Sequence, residues 1–563
     1  MDIYLDSNLA EQSAVLAISE ALKKCGENDT VHLGGGELIL DNIYANPTSY
    51  YLPRYTDRTK YYAISIKNRK NITIDGDGAI LLLKGDVAGF EIENCENITL
   101  KNFKIDSYNP FYWQGLITDC CDEYFDVEFD SEISPFEYDD EKKVFIIKGS
   151  SPEEDIETSN LLANEFDGDL KRPTLVSPDY FICAGKPNPF YDFMSVVVDT
   201  EKLGENKYRF LSKGKKITHT PGSYFVCTCH ERRNNNIHLN KCKNITLEDI
   251  DMYASASFGV ISLLVENLTI RNVNSLLKPQ TNRLLAVVAD MFHCVNNRGL
   301  VSIDNCTIEN QKDDAINVHS LLCKIESILP DKHTVIISFP YRAKRALDLF
   351  CAGEKLHTMD PDTFEKLGEL TVLESEFSGQ YHLRITFKET LGEEMRGLFL
   401  ESSDAMPRIK ITNCRMGNNR GRGILVSSSN ETLIEGNRIY SQSCGISISG
   451  ASKFYMEGGA VNDVKIKNNI FDDCSFRKSA AINICPHSIE DSRKTFYHKN
   501  ILVTGNTFKL RGKNVIEASL VSGLYAKNNT YTNLEDTSIK TPEAILKNCE
   551  KTECDSFALK EEI

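Results

Sequence analysis

Asn97-Ile-Thr-Leu-Lys-Asn-Phe-Lys-Ile-Asp106 decides the fold. It reads as two short strands with alternating buried and exposed residues, joined by a turn at an asparagine, a residue that tolerates the left-handed backbone region. The same phrase recurs as Asn71-Ile-Thr-Ile-Asp75, Asn244-Ile-Thr-Leu-Glu-Asp-Ile-Asp251, Asn267-Leu-Thr-Ile-Arg-Asn-Val273 and Leu300-Val-Ser-Ile-Asp-Asn-Cys-Thr-Ile308. Later copies run through Arg408–Cys414, Leu433–Ile439, Val464–Phe471, Val503–Phe508 and Tyr525–Tyr531. Adjacent copies lie 97 − 71 = 26 and 267 − 244 = 23 residues apart. That length suits one coil of a right-handed parallel β-helix, each coil resting on the last at about 4.8 Å. Several copies also read as N-x-Ser/Thr sequons, but their regular recurrence favours a repeat turn over glycosylation.

The phrase disappears twice, and gaps that long between coils imply small β-domains inserted at solenoid turns. The expected division is 1–115, cap and first coils; 116–233, first insertion; 234–320, central coils; 321–406, second insertion; and 407–563, C-terminal coils. Candidate strands in the gaps are 143–148, 194–199, 333–341, 370–374 and 381–388. Gln12–Cys25, apolar at helical spacing, is expected to be one capping helix.

The chain has 563 residues, 41% of them apolar, which supports a large core and excludes a disordered chain. Lys plus Arg number 64 against 81 acidic residues, and the net charge of −17 argues against nucleic acid or an anionic membrane as the main partner. No apolar run approaches the roughly 18 residues of a spanning helix. Met1-Asp-Ile-Tyr-Leu5 shows no secretory leader, so the chain is expected to be cytoplasmic or to have been secreted with its signal removed. The 18 scattered cysteines read as core residues of a reduced protein. Cys227-Thr-Cys229-His230, with His238 beyond, matches no common zinc spacing, and neither metal nor cofactor is expected.

Two places stand out chemically: Asp290-Met-Phe-His293 and Lys312-Asp313-Asp314-Ala-Ile-Asn317-Val-His319. Their separations, 313 − 290 = 23 and 314 − 290 = 24, equal one coil, so Asp290 and Asp314 should stack on neighbouring coils. Stacked carboxylates repel, and one should hold its proton more tightly than usual, as acid–base chemistry requires. Strict alternation sends Asp313 and Asp314 to opposite faces. Both can line one groove only if the chain turns a corner near Lys312; otherwise Asp314 points inward and binds turn amides. The substrate-binding candidates are His293, Asn317 and His319 from the cluster, with Arg283, Arg422, Tyr455 and Glu457 around it. Glycines in Gly421-Arg422-Gly423 and Glu457-Gly-Gly459 mark either close approach to a ligand or a packed corner between coils.

With Asn71-Ile-Thr-Ile-Asp-Gly-Asp-Gly78, Pro110-Phe-Tyr-Trp-Gln-Gly115, Asn297-Arg-Gly299 and the two aspartate elements, the sequence resembles glycoside hydrolase family 110. Arg422–Val426, Glu457-Gly-Gly459 and Ile466–Phe471 continue the resemblance, which covers about residues 30 to 535. It implies an all-β chain, a right-handed parallel β-helix with two inserted barrel-like domains. The implied activity is an exo-acting, inverting α-1,3-galactosidase, acting on glycans that include blood-group B. It matches Asp290, Asp313 and Asp314 to essential aspartates, and Asp348 to a position where the family has a carboxylate expected as Glu. Ser320 replaces a glycine frequent in the family, and Phe454-Tyr-Met-Glu457 lacks a tryptophan often found there.

An inverting glycosidase needs an acid and a base about 6.5–9.5 Å apart. Stacked Asp290 and Asp314 are then expected on the base side, with Asp313 or Asp348 as the acid. The implied partner is an oligosaccharide or glycoconjugate with terminal α-galactose, and a homo-oligomer is compatible with the fold. The rivals are a polygalacturonase-like hydrolase, echoed by Arg408-Ile-Lys410 but lacking its Gly-His-Gly element, and a non-catalytic glycan-binding solenoid. A polyanionic substrate suits a −17 chain poorly, and the carboxylate cluster counts against mere binding.

Overall fold

A computed structural model describes the chain except for residues 49–59, 134, 149–154, 175–179, 190, 230–232, 339–348, 380, 475–479, 490–495, 537, 540 and 563. Parallel pairing joins each copy of the phrase to the next. Leu100 pairs with Leu247, and the column continues through Ile270, Ile303, Ile411, Ile434, Ile466 and Val503. All are buried. Each such side chain contributes on the order of 2 kcal/mol by leaving water, so this stack carries the fold. Two steps in it skip long stretches, 247 − 100 = 147 and 411 − 303 = 108 residues, and these are where the insertions leave the β-helix.

The turn asparagines behave as their chemistry dictates. Asn71, Asn97, Asn244 and Asn267 have φ of 54°, 55°, 54° and 62°. Their amides also join along the solenoid: Asn97 donates to Asn71 at 2.7 Å, Asn244 to Asn97 at 2.9 Å, and Asn267 to Asn244 at 2.9 Å. A second ladder, of Asn437, Asn469, Asn506 and Asn529, runs inside later coils.

The cap differs from the expected single helix. Helices Ser7–Gln12 and Ala14–Lys24 meet at Ser13, which leaves the helical region (φ −162°) and accepts from Leu16 N–H at 3.3 Å, starting the second helix afresh. Ala14, Val15, Ala17, Ile18, Ala21 and Leu22 form the buried face of that helix.

Both insertions close on themselves. In the first, Tyr112–Cys120, Tyr124–Phe129, Lys207–Ser212, Ser195–Lys202, Tyr180–Ala184 and Asn160–Asp167 pair in that order, and Tyr224–Cys229 joins the last to the first. The second is a closed barrel of Cys323–Ile328, Thr334–Ser338, His382–Phe387, Lys366–Phe377, Lys355–Met359 and Phe399–Ser402. The first barrel docks just before strand Ile316–Leu321: the Lys312 ammonium donates to the Leu162 carbonyl, and the Asn310 amide to Lys171 O at 2.6 Å. The second docks at the strand's C-terminal end, where the Ser320 hydroxyl donates to Glu401, and also through Arg298 on Glu354. Cys227 and Cys229 lie in the first barrel's core, while His238 belongs to β-helix strand Ile237–Asn240. His230 falls outside the described residues.

Candidate active site

The site is built by stacking. Phe292–Val295 pairs with Ile316–Leu321, which pairs with Ile424–Val426. The residues that lead into these strands stack as well, through bonds from Met291 N–H to Asp314 O at 3.1 Å and from Ala315 N–H to Arg422 O at 3.0 Å. Asp290, Asp314 and Arg422 therefore form one column on three coils. Small residues make the approach feasible: a Cβ on Gly421 would meet the Asp313 and Asp314 backbone, and one on Gly423 the Gly445 carbonyl. These glycines pack coil against coil.

One carboxylate oxygen from each of Asp290, Asp313 and Asp314 lies within 4.8 Å of the others. The chain bends at Lys312 and Asp313, which resolves the alternation problem. The Asn419 amide secures that corner, donating to Asp313 O at 3.0 Å and Arg422 O at 2.9 Å. Asp314 is buried yet belongs to the cluster, so the two expected alternatives are joined. Its Oδ1 accepts the Arg422 backbone N–H at 2.7 Å and Nε–H at 2.9 Å, and its Oδ2 accepts Nη2–H at 2.6 Å. Burial outweighs this guanidinium and, with the charges of Asp313 and Asp290, pushes the Asp314 carboxyl up to about 6. Asp313 is half-buried, 3.2 Å from Arg420 Nη2. Three carboxylates so close could hold a cation, but Arg422 and Arg420 already supply counter-charge.

Behind the cluster, His293 Nδ1 lies 2.6 Å from Asp290 Oδ2, with its ring stacked on Phe258 at 4.6 Å. The Asn317 amide reaches toward the same oxygen at 3.5 Å, while its own Oδ1 is buried without a partner among the described residues. His319 Nε2 lies 3.2 Å from His293 Nε2.

The remaining expectations divide. Glu457 is buried and close enough to Arg422 to stabilise its charge, and it lies on the strand that pairs with Ser320 and Leu321. Tyr455 is half-buried beside Phe454. Arg283 is buried, with its guanidinium on Asp106 Oδ1 at 2.5 Å and on the Ser107 and Tyr253 carbonyls, so it is clamped within the fold. Asp348 lies outside the described residues. Arg408 and Lys410 are exposed on a different sheet from the carboxylate column, which removes the polygalacturonase echo from this site. Sequence reasoning missed Arg420 and Phe258. Arg420 sits two residues before Arg422, where an alternation signal existed; Phe258 looked like any core residue.

The chain matches a family model described as a right-handed beta helix region over residues 384–549. It is similar to alpha-1,3-galactosidase B of Bacteroides thetaiotaomicron, 26% identical over 533 residues that cover 92% of this chain and 83% of that one. It is likewise similar to alpha-1,3-galactosidase A of Shewanella woodyi, at 28% over 525 residues, with the same two shares, 92% and 83%. That coverage agrees with the family resemblance carried by the sequence motifs. Among solved structures, a Yersinia enterocolitica family 28 exopolygalacturonase superposes with a TM-score of 0.36 at 12% identity, over 96% of this chain and 75% of that one.

Proposed function

We propose that this chain is an α-1,3-galactosidase that removes terminal galactose and inverts its configuration. One observation carries the reading: a trio of mutually close carboxylates, beside a buried amide oxygen that has no partner among the described residues, sits in a chain similar over nearly its whole length to alpha-1,3-galactosidases. Water attacks the anomeric carbon as the bond to the leaving oxygen breaks; a base takes the water's proton and an acid protonates the leaving oxygen. Carboxylates within 4.8 Å sit closer than the roughly 6.5–9.5 Å that separates an inverting pair. By that spacing the whole trio, Asp313 included, belongs to the base side, which leaves Asp348, outside the described residues, as the remaining acid candidate of the two. Asn317 Oδ1 would accept a hydrogen bond from a sugar hydroxyl, with His293 and His319 as further substrate-binding candidates.

The test is galactose release from α-1,3-, α-1,4- and α-1,6-linked galactosides, with linear and blood-group B-type α-1,3 substrates in the panel. Release from the α-1,3 members is expected, with β-galactose as the first product by NMR. α-Galactose as first product would overturn inversion. Preference for α-1,6 linkages, or no release at all, would overturn the function.

A further inference from the structure

Strands Phe292–Val295 and Ile316–Leu321 bring two imidazoles together behind Asp290. Three contacts run in a row: Asp290 Oδ2 to His293 Nδ1 at 2.6 Å, His293 Nε2 to His319 Nε2 at 3.2 Å, and His319 Nδ1 to the Ser320 carbonyl at 2.8 Å. The far end admits one arrangement. A carbonyl only accepts, so His319 Nδ1 carries a hydrogen. Each of the three contacts needs one hydrogen; two neutral imidazoles bring two, and an ionised Asp290, which only accepts, brings none.

We infer that His293 and His319 together hold one proton more than two neutral rings at neutral pH, and that this proton is the counter-charge of Asp290. Among the described residues, Arg420 faces Asp313 and Arg422 faces Asp314, and the imidazolium faces Asp290 in the same way. Both rings are nearly inaccessible, at 4% and 3% exposure, where a charge persists only beside a counter-charge; Asp290 provides it through an ionic hydrogen bond.

The surrounding groups are compatible with this. Phe258 covers one face of His293. Asn317 and Asp314 come from the next coil, and Arg422 from the one after, where the Glu457 charge also acts on it. From the second barrel, Glu401 takes the Ser320 hydroxyl and leaves the Ser320 carbonyl to His319. His293 and His319 are thus positioning residues: their proton keeps Asp290 ionised and fixed in direction, and its loss leaves Asp290 without that counter-charge.

The direct test is ¹⁵N NMR of the full chain labelled at histidine, with signals assigned by their loss in His293→Gln and His319→Gln. Should a variant not fold, broadening of the site's ring signals by galactose assigns them in the wild type. At pH about 7.5 an ordinary histidine is about nine-tenths neutral. Here one ring of the pair is expected to keep imidazolium-type shifts; two neutral rings would overturn the inference. The kinetic arm uses His319→Leu, which removes the contact that demands the third hydrogen. The alkaline limb of kcat/KM is expected to move down by about one pH unit; a uniform loss with an unmoved limb would mean a merely structural histidine. The kinetic arm and the fallback assignment by galactose rest on the galactosidase reading; assignment by the two variants does not. An inactive protein with its imidazolium intact would sink that reading and leave the proton in place.

Discussion

Two columns climb the same β-helix and differ in what they stack. Along one edge, Asn71, Asn97, Asn244 and Asn267 hand an amide hydrogen bond from coil to coil. On another face, Asp290 lies over Asp314 and Arg422, with Asp313 beside them. An amide both donates and accepts, so a column of copies satisfies itself. A carboxylate only accepts, so a column of copies repels and must draw donors from elsewhere: Arg422, Arg420 and the His293 ring. The same geometric repetition is therefore scaffold where the residue is self-complementary, and a reactive site where it is not.

The comparison is broken most forcefully at Asp314. Asp314→Asn turns one carboxylate of the column into the residue of the ladder. Turnover is expected to fall by about 10²–10⁴, the loss of a base or its charged partner. Stability should move the other way with pH. The folded protein lifts the Asp314 carboxyl from its ordinary 3.8 to about 6, so it binds that proton more tightly than the unfolded chain does. Stability from this group is full below the unfolded value and is lost as pH rises through the folded one. The difference in Tm between variant and wild type should therefore shift in the variant's favour from pH about 4 to about 7. A shift against the variant would show that the Asp314–Arg422 pair stabilises the fold and would dissolve the contrast.

How much of this was legible in the sequence depends on the distance between stacked coils along the chain. Asp290 and Asp314 lie 314 − 290 = 24 residues apart, one uninterrupted coil, so their adjacency followed from spacing alone. Arg422 stacks on Asp314 across 422 − 314 = 108 residues because the second barrel intervenes, and no period reveals that. Arg283 binds Asp106 across 283 − 106 = 177 residues, over the whole first barrel, so its clamp within the fold was not legible either. The turn asparagines were legible because their type tolerates positive φ. Their ladder was not, since nothing in one coil says that the next amide will be in reach. The break at Ser13 was missed for a related reason: apolar periodicity continues through it, and only the cap geometry ends one helix and starts another.

A middle-sized effect is expected where the ladder is buried. Asn469 Oδ1 accepts both the Asn437 backbone N–H and its side-chain amide at 2.9 Å, while its own amide donates to Ile434 O at 2.9 Å and Asn506 Oδ1 at 3.0 Å. Asn469→Ala strands these groups away from water, at a cost of about 1–3 kcal/mol. Denaturant unfolding should register that loss while galactose release per folded molecule stays at the wild-type value. A fall in per-molecule activity would mean that the scaffold column is coupled to the site.

The smallest effect is the sharpest test of the comparison, because it builds the repelling column where none exists. Asn97 and Asn244 are stacked, exposed and both at positive φ, which aspartate tolerates. Asn97→Asp with Asn244→Asp places two carboxylates one coil apart with water on one side and no arginine above them. Each single variant keeps a neighbouring amide to donate to it; the double variant does not across that step. Two charges at about 4 Å in water repel by about 1 kcal/mol, which raises both carboxyls in the folded state. That interaction should be absent near pH 3, emerge as the pair ionises, and shrink in 1 M salt, where the screening length is about 3 Å. A double-mutant cycle of unfolding free energies at acid and neutral pH measures it. An interaction near zero at neutral pH and low salt would mean that stacking alone does not make carboxylates costly, and that burial, not repetition, sets Asp314 apart.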